Sequence, residues 1–337
     1  MKLILGSMML ALSASALSFT GGGGGGSTTP PPPPTGSASD IDPYPSSGTT
    51  RHWPLSGNLG SHDPTLIEEN GIWWQFQTGR GIYGKVSYNG GTNWEPLASV
   101  LPRGLSWWSY YVPGHDGIDV WAPDVRKFNG KTYMYYSIST FGSNRSVIGL
   151  LSTNSIGTGN WTDEGMVVRT TSSDNHNAID PDLVVDANGN PWLAYGSFWS
   201  GIKLVALNSS TMKPTGSTYS LAYNSQGIEA PSIIYRDGYY YLFVSVGKCC
   251  QGTNSTYTIR YGRSRNVTGP YLDKNGNNML NGGGSLLDAG NAQWVGPGGQ
   301  DVYGSGALVR HAYDAYDNGN AKLLISNLNW SNGWPRY

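Results

Sequence analysis

One pattern of apolar and polar positions occurs four times along the chain. In the first copy Pro64 precedes a short apolar run at 65–67, the pair Asn70-Gly71 and an aromatic run at 72–76. Asn-Gly or Asp-Gly between two β-prone runs is a strong hairpin signal. The glycines of these turns are at positions 71, 130, 189 and 238. Each copy therefore predicts two antiparallel strands joined by a tight turn.

The second strand of the pattern carries apolar residues on both faces, in the runs 72–78, 133–138 and 239–246. A strand loses its apolar–polar alternation when both of its faces are covered. Hairpin units repeating every ~40–60 residues are typical of β-propellers, in which each blade covers its neighbours. A degenerate fifth copy spans 295–326. The sequence predicts an all-β, five-bladed β-propeller with the loop 102–119 at one mouth.

The N-terminal region has a different composition. Lys2 precedes an apolar run at 3–12, and Ala14-Ser15-Ala16 has the small residues of a signal-peptide cleavage site. Six glycines at 21–26 and five prolines at 30–34 follow, in a composition that cannot bury a core. We predict a signal peptide at 1–18, a Gly/Pro/Ser-rich linker at 19–46 and a catalytic propeller domain at 47–337. The protein is therefore expected to be secreted and extracellular.

Export has two further consequences. Asn-x-Ser/Thr sequons would be glycosylation acceptors in a eukaryotic secretory route, and they occur at Asn144, Asn160, Asn208, Asn254, Asn266 and Asn329. The only cysteines, Cys249 and Cys250, are adjacent, which argues against zinc and allows a vicinal disulfide in an oxidising compartment.

Net charge and composition limit the classes of molecule that the protein is expected to bind. The net charge of −1 gives no basic footprint for nucleic acid, and the N-terminal apolar run is too short for a membrane anchor. No Gly-x-Ser-x-Gly motif supports a serine hydrolase. The 13 Trp and 22 Tyr residues suit contact with sugars as well as packing between blades. We expect a monomer that binds a polysaccharide and has no nucleic-acid or membrane partner.

Candidate chemistry comes from acidic residues at the heads of three first strands: Asp63, Asp180 and Glu229. First strands are innermost in a propeller, so these carboxyl groups should converge on the axis, where like charges raise one another's pKa. Such a cluster implies a bound cation or acid–base work. A calcium cage would need more carboxylates at short spacing. Hydrolysis of a glycosidic bond needs one carboxylic acid and one carboxylate, and a third carboxylate could keep the acid protonated.

Other polar residues near these heads are given structural roles. Asp124 follows its proline and is expected to face away from the axis, and Asp182 is expected on a strand surface. His62 and His176 flank the acidic heads and are expected to be hydrogen-bonded structural histidines. For His311 a buried structural role and a position lining the channel remain equal alternatives.

Four runs together resemble glycoside hydrolase family 43, and within it the endo-1,5-α-L-arabinanases. They are Asp63-Pro64, Trp121-Ala122-Pro123-Asp124, Asn177-Ala178-Ile179-Asp180-Pro181 and Gly227-Ile228-Glu229-Ala230-Pro231. The stretches 137–144 and 249–252 support the narrower assignment.

The resemblance implies a five-bladed propeller and inversion at the anomeric carbon, with Asp63 as general base, Glu229 as general acid and Asp180 as the residue that tunes the pKa of Glu229. The base and acid of an inverting pair should lie ~6.5–9.5 Å apart. No cofactor is required, although a calcium or sodium ion in the central channel is compatible with the family. Where relatives tend to have a histidine near that ion, this chain has Gly299-Gln300.

The expected activity is endo-hydrolysis of α-1,5-linked arabinan. Substrate contacts are expected from Trp121, Phe198, Trp199 and Asn177. Two alternatives remain: an exo-acting arabinofuranosidase or β-xylosidase of the same family, and a carbohydrate-binding propeller without catalysis. The course of the loops 102–119 and 197–201 would separate endo from exo action, because exo action needs a pocket that is closed at one end.

Overall fold

The computed structural model describes residues 52–304 and 306–336, which form strands and connecting loops. The predicted signal peptide at 1–18, the linker at 19–46 and the domain start at residue 47 lie outside the described residues. Among the residues described, no helix is long and apolar enough to span a bilayer.

Five sheets follow one another along the chain, and each is built from a nearly consecutive segment. The first contains β1 (Ser56–Gly57), β2 (Thr65–Glu69), β3 (Ile72–Gln77), β5 (Tyr83–Ser87) and β6 (Asn93–Pro96). The second contains β4 (Gly79–Arg80), β7 (Asp119–Phe128), β8 (Lys131–Ile138), β9 (Ser146–Thr153) and β10 (Thr162–Thr170).

The remaining three sheets follow the same plan. The third contains β11 (Asp182–Val185), β12 (Pro191–Tyr195), β13 (Ile202–Leu207) and β14 (Pro214–Ala222). The fourth contains β15 (Ile228–Arg236), β16 (Tyr239–Val246), β17 (Thr258–Ser264) and β18 (Ser285–Asp288). The fifth contains β19 (Trp294–Tyr303), β20 (Ala307–Asp314) and β21 (Asn320–Asn327).

A few short elements complete the described chain. A C-terminal hairpin consists of β22 (Asn329–Ser331) and β23 (Trp334–Arg336). The one described α-helix, α1 (Trp108–Tyr111), is a single turn, and the short 3-10 turns are Ile156–Thr158, Gly252–Asn254 and Met279–Asn281.

The sheets close into a ring. The first strands β2, β7, β11, β15 and β19 contact one another in that order, and β19 contacts β2. A separate cluster of buried apolar residues fills each of the five interfaces between neighbouring sheets. Each sheet is thus covered on both faces, which explains the lost alternation of the aromatic strands. The predicted five-bladed β-propeller is confirmed, including its less regular fifth blade.

The predicted hairpin turns are two-residue turns in three blades. Asn70, Asn129 and Asp237 have positive φ, as do the glycines that follow them, and this conformation matches the twist of the flanking strands. The third blade differs, because Val185 pairs with Pro191 and the turn is the longer loop 186–190. The carboxylate of Asp186 orders that loop by accepting backbone N–H bonds within it.

The N-terminal segment closes the ring by running beside β21. The N–H of Trp53 donates to the carbonyl of Ile325 at 2.8 Å, and the N–H of Leu323 donates to the carbonyl of Leu59 at 2.7 Å. The Trp53 indole packs edge-on against Trp73 in the cluster between the fifth and first blades. Residues from the start of the described chain thus supply the outer edge of the last blade.

We expect Trp53→Ala to lower the free energy of unfolding by about 3–5 kcal/mol, because it empties the interface that joins the two ends of the ring. Chemical denaturation followed by tryptophan fluorescence measures the change. Tyr88→Ala is the control, since Tyr88 is 61% exposed and its loss should cost less than about 0.5 kcal/mol. Equal effects of the two substitutions would contradict this account of ring closure.

Candidate active site

The heads of the five first strands share a three-residue unit, here called the axial triplet. The five triplets line one small cavity of about 30 Å³ on the axis, and they are 63–65, 122–124, 180–182, 230–232 and 299–301. The second residue is proline in four triplets and Gln300 in the fifth. The first residue has positive φ in every blade, and these residues are Asp63, Ala122, Asp180, Ala230 and Gly299.

Each first residue donates its backbone N–H to a side chain of the preceding blade. Register shifts interrupt the sheet near the triplets of blades two, four and five, and a bulge of this kind leaves an N–H without a ladder partner. The donor–acceptor pairs are Asp63 N–H to His311 Nδ1 (3.1 Å), Ala122 N–H to Thr78 Oγ1 (2.9 Å), Asp180 N–H to Ser137 Oγ (2.9 Å), Ala230 N–H to Asp180 Oδ2 (3.1 Å) and Gly299 N–H to Ser245 Oγ (3.0 Å).

The third blade supplies its hydrogen-bond acceptor from a different position, and this difference fixes the location of the Asp180 side chain. In the other four blades the acceptor lies on the second strand or directly after it, opposite the residue before the triplet. Gly196 occupies that position in the third blade and has no side chain, and an added Cβ would meet the carbonyl of Gly201 at 2.6 Å. The carboxylate of Asp180 accepts the Ala230 N–H instead. Asp180 is thereby held one peptide unit from Glu229.

The third residues of the triplets form a second ring below the first. Each side chain accepts the next blade's N–H just after its triplet, and the pairs are Thr65–Val125 (3.2 Å), Asp124–Leu183 (2.8 Å), Asp182–Ile233 (2.8 Å), Ser232–Val302 (3.2 Å) and Asp301–Leu66 (3.1 Å). Arg126 is ion-paired with all three aspartates of this ring. The guanidinium therefore balances part of their buried charge.

The predicted positions of Asp124 and Asp182 are wrong. Both side chains are buried and line the axial cavity. The reason is the period of two along a strand: the third residue of a triplet shares a face with the first, so Asp124 points the same way as the position occupied by Asp63. Burial and the charge of Asp124 raise the pKa of Asp182 well above its usual value, with Arg126 opposing.

Asp63 has two different oxygens. Oδ2 accepts from Thr78 Oγ1 at 2.6 Å and pairs with His62 Nδ1 at 2.8 Å. Among the described residues Oδ1 accepts no hydrogen bond, and His311 Nδ1 lies 3.6 Å from it. Burial alone would raise the pKa of Asp63, but the charge and hydrogen bond of His62, helped by His311 and Thr78, hold it well below its usual value. Asp63 is therefore an ionised carboxylate with one oxygen available.

Glu229 is buried and held at both oxygens. Ser197 Oγ donates to Oε2 at 2.6 Å, and the Tyr257 hydroxyl donates to Oε1. Burial raises the pKa of Glu229 to about 7; the Asp63 charge adds to the rise, while the Ser197 hydrogen bond and His62 oppose it. Near neutral pH a large fraction of Glu229 therefore carries a proton.

The sequence had suggested that the three acidic residues occupy equivalent positions in their blades. The structure shows that they do not. Asp63 and Asp180 are first residues of triplets, whereas Glu229 precedes its triplet and pairs with Ser245, so its equivalent in the first blade is His62. The three groups still interact: burial, then Glu229, then Asp63 raise the pKa of Asp180 well above its usual value.

The predicted substrate contacts lie in different environments. Trp121 is half-buried at the position equivalent to Glu229, with its indole N–H donating to Asp119. Phe198 is half-buried over Gly227, and Trp199 is 43% exposed. Asn177 is buried, and its Oδ1 accepts from Ser146 Oγ at 2.6 Å. Trp199 is thus the most exposed of the four, while the amide of Asn177 is engaged within the protein.

The histidines and cysteines have distinct positions. His311 is fully buried and is not among the residues that line the axial cavity, so the structural alternative is the one that the structure supports; its Nδ1 accepts the Asp63 N–H. His176 is half-buried and contacts Asn175. Cys249 and Cys250 are joined in the predicted vicinal disulfide, and Cys250 Sγ lies 3.8 Å from His62 Nε2.

Gln300 has no free amide atom to offer an ion in the channel. Gln300 lies next to the position at which members of the family that the sequence resembles tend to have a histidine. Its side-chain amide makes two hydrogen bonds: Nε2 donates to the Ala230 carbonyl, and Oε1 accepts from Ser245. The carboxylates farther along the cavity already hold Arg126 as their cation.

Sequence reasoning missed the residues that hold the acids. Thr78, Ser137 and Ser245 stand at equivalent ends of second strands, so alignment of the repeats could have found them. Ser197 and Tyr257 lie in connections between strands without a repeated pattern, and the sequence carries no signal for their contacts with Glu229.

Fold and site together define a class of protein: a five-bladed propeller with a buried acid–base pair at its axis. The model of the family described as glycosyl hydrolases family 43 matches residues 91–335. The chain belongs to glycoside hydrolase family 43.

Individual relatives are similar over most of the chain. The extracellular endo-alpha-(1->5)-L-arabinanase 1 of Bacillus subtilis (strain 168) is 57% identical over 292 residues, which cover 85% of this chain and 90% of that protein. The extracellular exo-alpha-(1->5)-L-arabinofuranosidase of Cellvibrio japonicus (strain Ueda107) is 40% identical over 298 residues, covering 82% of this chain and 85% of that protein. The solved structure of an endo-arabinanase from Bacillus licheniformis has a TM-score of 0.83 and 55% identity, and the match covers 85% of this chain and 100% of that one.

We expect Gly299→Ala to lower kcat/KM by about 100-fold or more, because displacing a reacting group by ~1 Å can cost that much. An added Cβ would lie 2.3 Å from Asp63 Oδ1 and 2.9 Å from the His311 ring, and the φ of +54° adds strain. Steady-state kinetics on arabinan measures the effect. Gly189→Ala is the control, since Gly189 also has positive φ (+84°) but has open space around it. Wild-type kinetics in Gly299→Ala would contradict the geometry assigned to Asp63.

Proposed function

We propose that this protein is a secreted, inverting endo-hydrolase of α-1,5-linked L-arabinan, the polysaccharide of plant cell-wall pectin side chains. The observation that carries the proposal is that one buried site contains an ionised Asp63 and a Glu229 whose pKa is raised to about 7. The family and the endo-acting relative, which is 57% identical, support the same substrate. The signal peptide at 1–18 and the linker at 19–46 remain our expectation.

In the proposed reaction Asp63 is the general base. Its Oδ1 takes a proton from a water molecule as the water oxygen bonds to the anomeric carbon. Glu229 is the general acid and gives its proton to the glycosidic oxygen as the carbon–oxygen bond breaks. Asp180 and Glu229 lie close enough to resist ionising together, so the pair retains a proton that Glu229 can donate. Attack from the face opposite the leaving group inverts the anomeric carbon.

Endo action is favoured by the course of the long loop 102–119. The indole N–H of Trp107 donates to Asp163 on the outermost strand of the second blade, and Trp108 is buried against Tyr136. These contacts bind this part of the loop to the second blade, and no residue of 102–119 lines the axial cavity. An axial site that the loop does not line suits the interior of a chain better than its end.

Product analysis on linear α-1,5-arabinan tests endo action. We expect a mixture of oligosaccharides in the first percent of hydrolysis, and a β-configured anomeric centre in the first NMR spectra. Release of arabinose alone from the outset would favour the exo alternative. A product that first appears in the α configuration would contradict inversion.

Glu229→Ala separates an enzyme from a carbohydrate-binding propeller. We expect kcat/KM to fall by about 10²–10⁴-fold while arabinan is still retained in affinity electrophoresis. Glu95→Ala is the matched control, because Glu95 is exposed on β6 and should leave both properties unchanged. Undiminished hydrolysis in Glu229→Ala would rule out its role as the acid.

The pH profile tests the state of Glu229. Activity should decline above about pH 7, because the acid must be protonated and its pKa is raised to about 7. Ser197→Ala removes a hydrogen bond that lowers this pKa, so the basic limb of kcat/KM should move to higher pH. A basic limb that stays in place in Ser197→Ala would mean that another group controls it.

A further inference from the structure

His62 is the side chain at the site that the proposed mechanism leaves without a role. It precedes the first axial triplet, in the position that Glu229 takes in the fourth blade. We propose that His62 is a positioning residue for the general base: its imidazolium holds Asp63 ionised and turns one carboxylate oxygen toward the reacting water. This inference rests on the proposed function, because it assigns His62 to the same reaction.

The first support is that the two carboxylate oxygens of Asp63 have different contacts. His62 Nδ1 and Thr78 Oγ1 both bind Oδ2, at 2.8 and 2.6 Å. These two bonds fix the rotation of the carboxylate, so Oδ1 faces Gly299 and His311. Without His62 the carboxylate would keep only the neutral Thr78 donor, and either oxygen could face the water.

The second support is that His62 is itself held from the other side. Its Nε2 lies 3.0 Å from the Tyr313 hydroxyl. That hydroxyl also accepts the N–H of Cys250, at 2.7 Å, so the loop with the vicinal disulfide fixes the position of Tyr313. With Asp63 accepting at Nδ1 and Tyr313 placed to accept at Nε2, both ring nitrogens of His62 have a partner for an N–H bond.

The third support is the neutral state of the neighbouring histidine. The rings of His62 and His311 stack with centroids 3.9 Å apart. His311 Nδ1 accepts the Asp63 N–H, which leaves the ring proton on Nε2. Burial, together with the charge of His62, lowers the pKa of His311 to about 3. The stacked pair therefore carries a single positive charge, and it lies on His62 against Asp63.

The charges around His62 agree with this assignment. Asp63 on its own segment and Glu229 on β15 raise the pKa of His62 above its ordinary value, against the effect of burial. Asp180, near the start of β11, interacts with Asp63 and Glu229, and burial raises the pKa of Tyr313 on β20 to about 12. Cys249 and Cys250 do not titrate as a disulfide. The imidazolium thus faces two carboxyl groups and a neutral phenol.

His62→Asn tests the charge. Asparagine retains a side-chain N–H near the position of Nδ1 but has no positive charge. His62 lowers the pKa of both Asp63 and Glu229. Both limbs of the kcat/KM profile should therefore move to higher pH in the variant. We expect at least about tenfold lower kcat/KM on the acid side, since each pKa unit is tenfold there, and less than about threefold change at the new optimum.

Thr78→Val is the matched variant, because it removes the neutral donor to the same oxygen, together with the acceptor of the Ala122 N–H. It should move the acid limb less than His62→Asn and leave the basic limb in place, since Thr78 carries no charge toward Glu229. If His62→Asn lowers the maximum of the kcat/KM–pH profile but leaves both limbs at the same pH, the inference is overturned and His62 is a structural residue.

A second measurement uses the wild-type protein and so does not depend on folding of a variant. In ¹⁵N-histidine NMR spectra of the five histidines, the His62 resonance should be that of an imidazolium at pH 6, with His311 neutral. A neutral His62 at pH 6 would overturn the inference. The proposed function fails separately, if Asp63→Asn or Glu229→Gln hydrolyses arabinan at the wild-type rate.

Discussion

Backbone N–H groups at the propeller axis need hydrogen-bond partners, and the rest of the structure depends on how they obtain them. A buried N–H without a partner is costly, and the axial triplets have left the regular ladders of their sheets. Two rings of bonds solve this, and in each a side chain of one blade accepts the N–H of the next. Because every bond crosses a blade interface, the rings also fix the relative rotation of the blades.

The acidic residues are part of these rings, and this connects the fold to the chemistry. Asp180 performs the task that a serine or threonine performs in three other blades and His311 in the fifth, since Gly196 offers no side chain. Its carboxylate is thus brought close to Glu229 by the same bond that orders Ala230. In the lower ring Arg126 offsets the buried aspartates, because leaving such charges unpaired would be strongly destabilising.

The sequence revealed most of the fold and the three acids, because both repeat with the blades. Proline and turn glycine mark the two ends of the first strand in four blades, so the innermost heads of these blades could be located by position alone. The offset of Glu229 by one residue depends on local backbone bulges, which the repeat does not reveal. The contacts of Ser197 and Tyr257 with Glu229 come from separate connections between strands, so only the folded chain brings them together.

The most direct test of the account is a crystal structure of the Glu229→Gln variant with a bound α-1,5-arabino-oligosaccharide. The account predicts a glycosidic oxygen within hydrogen-bond reach of the residue-229 amide. It also predicts a water between the anomeric carbon and Asp63 Oδ1, with the two carboxyl positions ~6.5–9.5 Å apart. An oligosaccharide bound with no linkage between Asp63 and residue 229, or with no room for that water, would contradict it.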